Sequence, residues 1–132
     1  LVSGTQAASS VKIMTPDQLH WSSKGLPSGM SMAALTGDPG GTGMYVYRLK
    51  MAPGSVYLPH VHGKAEMVTV LSGTLMAGIG SKMNKSAMKP LTPGTFVVIQ
   101  PGTPHYVMAK DAVVIDVSGM GPSTTKMLGG KM

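Results

Sequence analysis

An all-β, single-domain fold, a sandwich or a barrel, is what this sequence predicts, and three observations predict it. The 132 residues are punctuated by 18 glycines and 10 prolines. No segment keeps a 3.6-residue apolar rhythm for three helical turns, and the apolar runs between the punctuation are short and rich in β-branched or aromatic side chains. With 42% hydrophobic and 12% charged residues, a chain of this length closes around one core. It buries roughly 65–70% of the surface exposed when unfolded and has no room for a second domain.

Residues 1–10 read as a flexible arm or a signal-peptide remnant, because Leu1–Ser9 is small and uncharged. The second reading implies a secreted or periplasmic protein, and the first leaves the cytoplasm open. The domain itself is expected over 11–121. Within it, 11–44 is the least regular stretch, with one brief helical turn over Asp17–Trp21 opened by Thr15-Pro16, Thr15 capping and Pro16 in the first turn. Tyr45–Leu49 is the first expected strand, followed by Val56–His62, Glu66–Leu71 and Thr74–Gly78. Thr95–Ile99, His105–Met108 and Ala112–Val117 complete the set. Turns separate them at Ala52-Pro53-Gly54, Leu71-Ser72-Gly73, Leu91-Thr92-Pro93-Gly94 and Gln100-Pro101-Gly102-Thr103-Pro104. After Pro122, residues 122–132 read as a mobile tail.

Several classes of function are excluded at this level. With no cysteine, the chain has no disulfide, thiol nucleophile or iron–sulfur cluster. No uncharged apolar run approaches the roughly 18–20 residues of a membrane helix. The net charge of +6 comes from 11 cations against 5 acids, and Arg48 is the one arginine. Scattered lysines suit a soluble surface with mild attraction to polyanions better than nucleic-acid binding. Gly37–Gly43 is glycine-rich, but no Gly-Lys-Ser/Thr follows, so it is a loop and not a phosphate cradle. A Gly-x-Ser-x-Gly nucleophile elbow is missing, and the acids Asp17, Asp38, Glu66, Asp111 and Asp116 are too scattered for paired-carboxylate chemistry.

The informative stretch runs from Gly54 to Gly73. His60 and His62 are two apart, so on a strand both imidazoles leave one face. Glu66 shares their parity if the Gly63-Lys64-Ala65 turn holds the register. His105 heads another expected strand after a tight turn, where pairing brings it beside them. Three imidazoles and one carboxylate make a nitrogen/oxygen metal site. His20 lies outside this set and reads as a surface or packing residue.

The arrangement resembles the cupin superfamily, whose first motif is Gly, five residues, His-x-His, three or four residues, Glu, six residues, Gly. Gly54, His60, His62, Glu66 and Gly73 match it without a gap. Gly94, Gly102 and His105 match the second motif, with Gln100 in place of a proline and Ala109 in place of an asparagine, neither of them a ligand position. The resemblance implies a jelly-roll β-barrel binding one divalent transition metal, copper, iron or manganese first and nickel or zinc next, through His60, His62, Glu66 and His105. It implies a metal-dependent oxidase or oxygenase, with Glu66 in catalysis, acting on a small molecule, a phenolic or a carbohydrate. A non-catalytic metal- or ligand-binding cupin and a non-redox isomerase are the alternatives, and a homodimer is expected. The 13 methionines read as core filler first and as copper ligands or peroxide scavengers second. Tyr57 and Tyr106 flank the ligands and either face the barrel mouth, which loop 79–93 shapes, or pack between strands. Asp116 is the acid nearest to the set after Glu66.

Overall fold

The structure, a computed structural model, describes residues 10–129. The arm or leader expected over residues 1–10 lies outside this range except for Ser10. The short helical turn is present as a 3-10 turn over Pro16–Gln18, where the Thr15 amide donates to the Gln18 side-chain oxygen at 2.8 Å.

Among the described residues the chain forms ten strands: β1 (Met30–Thr36), β2 (Gly43–Met51), β3 (Val56–His62), β4 (Glu66–Ser72), β5 (Leu75–Ile79), β6 (Lys89–Leu91), β7 (Phe96–Ile99), β8 (His105–Ala109), β9 (Val113–Gly121) and β10 (Thr125–Met127). They build two five-stranded antiparallel sheets, ordered β1-β2-β9-β4-β7 and β10-β3-β8-β5-β6, the jelly roll expected from the resemblance. Alternation places one side of each strand inside. Leu49, Met51, Val68, Val70, Ile115 and Val117 of the first sheet meet Leu75 and Ala109 of the second in one buried cluster. Met30 and Met51 belong to it, so methionine fills core volume there.

Three strands depart from the sequence expectation. β1 is built from Met, Ser, Ala and Leu, which favour helix or have no strand preference. Its extended state comes from pairing along β2, from Met30↔Met51 to Ala34↔Tyr47. β6 carries Pro90, tolerated because the strand is a sheet edge. The mobile tail expected over 122–132 is corrected over Thr125–Met127 by β10, whose residues Thr125, Lys126 and Met127 pair with His62, Val61 and His60; residues 130–132 lie outside the described range. Three residues are too short to show a period.

Two glycines explain local geometry. Gly73 sits at φ 78° in the β4–β5 turn, and a Cβ there would lie 2.0 Å from the Ala112 oxygen. Gly78 has an ordinary φ, but a Cβ on it would meet the Tyr106 ring at 2.2 Å. That ring is buried, and its hydroxyl donates to the Asn84 oxygen at 3.2 Å and accepts from the Asn84 amide at 3.1 Å. Gly78→Ala is therefore expected to destabilise the fold by about 1–3 kcal/mol. Urea unfolding with an unchanged m-value checks this; a variant as stable as wild type overturns it.

Candidate metal centre

Strand pairing assembles the centre. His60 and His62 face inward from β3, and His105, the first residue of β8, pairs directly opposite His60. The turn before β8 is pinned to the same strand, since the Gly102 amide donates to the His62 oxygen at 2.8 Å. Ring centroids lie 4.2 Å apart for His60 and His105, 4.9 Å for His60 and His62 and 5.1 Å for His62 and His105. One nitrogen from each ring lies within 4.8 Å of the others. All three residues are buried.

Each ring is held by its other nitrogen. His60 Nδ1 donates to the Leu58 oxygen at 2.6 Å, His105 Nδ1 to the Thr103 oxygen at 2.9 Å, and His62 Nδ1 to the Thr124 oxygen at 3.1 Å, with the Thr125 hydroxyl 3.0 Å from that same nitrogen. A carbonyl only accepts, so every Nδ1 carries the proton and every Nε2 presents a lone pair. Burial strips the charged form of water and holds all three imidazoles below their usual pKa, His60 down to about 4. The neutral ring is the form that ligates metal.

Glu66 reaches the centre by a different route from the one its parity suggested. It does not continue the histidine strand; it opens β4 in the opposite sheet and approaches across the interior. Its Oε2 lies 3.3 Å from His62 Nε2, while the set with mutually close donors comprises the imidazoles alone. Desolvation raises the Glu66 pKa to about 7, against a smaller opposing pull from His105. His62 Nε2 is buried without a hydrogen-bond partner. A lone pair and a carboxylate oxygen at this distance repel unless a cation or a proton stands between them, so the residues present fit a divalent ion.

The other nominated residues separate cleanly. Tyr57 lines the cavity with its ring 4.3 Å from that of His60. Tyr106 faces the other side of β8 and packs over Gly78. Asp116 is drawn away from the centre, bound by Arg48 Nε at 2.7 Å and Nη2 at 3.1 Å. His20 is exposed, and among the described residues no methionine lines the cavity. Sequence reading missed the carbonyl locks and Thr125, because backbone acceptors leave no side-chain signature and β10 is three residues long. Ending the chain at Ser123 removes the lock on His62, and Co(II) affinity is expected to fall about 10–100-fold. Calorimetric titration checks this; unchanged affinity overturns the role given to the lock.

A two-sheet antiparallel barrel that buries carbonyl-locked imidazoles beside a carboxylate is a jelly-roll protein with a histidine-centred interior. Its sequence profile places it further: the family described as Cupin matches residues 39–127, and the chain belongs to the cupin family. It is 34% identical over 84 residues to germin-like protein subfamily 3 member 3 of Arabidopsis thaliana, covering 63% of this chain and 36% of that protein. The chain thus matches about a third of the length of such plant relatives. Its fold is similar to the polyketide cyclase RemF of Streptomyces resistomycificus, with TM-score 0.71, 16% identity and coverage of 86% and 83% of the two chains. It is also similar to an oxalate oxidase bound to the substrate analogue glycolate, with TM-score 0.58, 21% identity and coverage of 78% and 57%.

Proposed function

We propose that this protein is a mononuclear metal-dependent oxidoreductase acting on a small molecule, with the ion held by His60, His62, His105 and Glu66. The orphaned His62 Nε2, aimed at a carboxylate oxygen 3.3 Å away, is the observation that carries the reading. A divalent ion held there would keep a net charge of about +1 and would supply a redox centre. The chain does the rest. Three backbone carbonyls fix the imidazoles, and Val68, Ile99 and Val107 give the cavity an apolar lining. Glu66 supplies the anionic ligand: desolvation raises its carboxyl to about 7 in the metal-free chain, and the proton it carries there leaves as the ion binds. Among the described residues no lysine or aspartate joins it in the lining, and the tyrosines there, Tyr47 and Tyr57, are raised above the usual phenol range by burial and keep their protons, which suits electron transfer at a metal better than an isomerisation needing a second acid–base group.

Elemental analysis and electron paramagnetic resonance on protein purified without added metal, followed by oxygen uptake after loading with copper, iron or manganese, test the proposal. Stoichiometric metal and oxygen consumption with a phenolic or another reductant are expected. Zinc or nickel with no uptake overturns the oxidoreductase in favour of a binding or non-redox role.

The homodimer belongs to the same proposal. Pairing sets Phe96, Val98, Met44 and Met120 on the outer side of the first sheet, where they are 60%, 48%, 62% and 56% exposed. Exposed apolar side chains gathered on one outer sheet face favour a partner. Light scattering is expected to show a dimer, and Phe96→Lys with Val98→Lys to convert it to monomer; a monomeric wild type overturns this.

A further inference from the structure

The metal cavity, of about 90 Å³, holds an ion and a few waters, each water needing roughly 10–15 Å³. It has no space for a ring. Beside it, where β5 and β6 of one sheet part from β7 of the other, lies a cleft of about 380 Å³, within the range of roughly 300–1,000 Å³ usual for small-molecule sites. Val68, Leu75, Ile99, His105 and Val107 line both spaces, so the cleft and the metal cavity adjoin at these side chains. Ile79 pairs directly opposite His105 across β5 and β8, yet it is 83% exposed. An isoleucine beside a histidine of the centre is thus left in water because the sheets have parted. Lys89, opposite Ala77 on β6, brings the one permanent charge into the lining.

Resting on the metal-centre reading above, we propose that the substrate is an amphiphile, with an anionic oxygen head at the metal beside His105 and an apolar, ring-sized body in the cleft. The shared lining sets head and body sites within one molecule's length, the apolar residues select the body, and Lys89 favours an anion over a cation.

The test loads the full chain with Co(II) and titrates it with 2-naphthoate and, separately, with acetate, following heat and the Co(II) absorption bands. Naphthoate is expected to perturb the bands and to bind at least about tenfold more tightly than acetate. Ile79→Asp, at an exposed position outside the core, is expected to cut naphthoate affinity at least about tenfold while Co(II) and acetate affinities stay within about twofold. Ala77→Phe, which fills the cleft, is expected to give the same selective loss. Equal affinity for the two acids, or two variants that both bind naphthoate as wild type does, overturns the proposal and leaves the metal reading standing. A wild-type chain that takes up no Co(II) overturns the metal reading, and this proposal with it.

Discussion

Alanine at His60, His62 or His105 is expected to lower Co(II) affinity by on the order of a hundredfold or more in each case. Sharing the roughly 10–16 kcal/mol typical of a four-ligand ion among its ligands gives about 3 kcal/mol for each, and every 1.4 kcal/mol is about a factor of ten. The three rings present equivalent lone pairs, each with Nδ1 on a backbone carbonyl, so the losses should be of one size. A thermal read-out separates lost ligation from lost folding. At a hundred times its dissociation constant, an ion stabilises the chain by about 2.7 kcal/mol; the variants should melt near the metal-free wild type and lack the metal-dependent rise. Variants that keep that rise would remove the histidines from the centre.

Glu66→Gln is expected to change sign with the metal. In the metal-free chain, burial raises the Glu66 pKa from 4.5 to about 7. A raised folded-state value means that the stability linked to this group is complete below pH 4.5 and is lost as pH rises through about 7. The variant escapes that loss: it should match wild type near pH 4 and exceed it by on the order of 3 kcal/mol at pH 8. His60 acts in the opposite direction, its value falling from 6.5 to about 4. It loses stability as pH drops through about 4 in both proteins and cancels in the comparison. With Co(II) present at pH 8 the order reverses, because the ion needs the carboxylate that the variant lacks. Denaturant titrations at the two pH values, with and without metal, check both halves. Equal metal-free stabilities at pH 8 would show that the carboxylate is not desolvated as described.

Much of the centre was legible because its spacing follows strand geometry. A period of two places His60 and His62 on one face, and the turn residues 100–104 put His105 at the head of a strand. The expected span Val56–His62 coincides with β3. Glu66 lies 3.3 Å from His62, but the parity argument that nominates it gives way to an approach from the opposite sheet. Asp116 shows the limit of pattern reading: alternation alone could not reveal that Arg48 stands directly opposite it and binds it outside the barrel. β1 and β6 were illegible for a related reason. A run of Met, Ala and Leu, or a segment containing proline, becomes a strand only through partners distant in sequence.

The hold of Thr124 on His62 spans 62 residues, and this sets an order of events during biosynthesis. A nascent chain that has displayed His60 and His62 still lacks His105 and, later again, the carbonyl that orients His62. An ion arriving early meets two loosely aimed rings, whereas one arriving after β10 has docked meets three fixed ones. On the proposed reading, loading belongs to the finished barrel, and an ion held at His62 would in turn retain the short edge strand that makes the grip possible. Amide exchange in Thr125–Met127 should accordingly slow on metallation more than exchange in strands that carry no ligand.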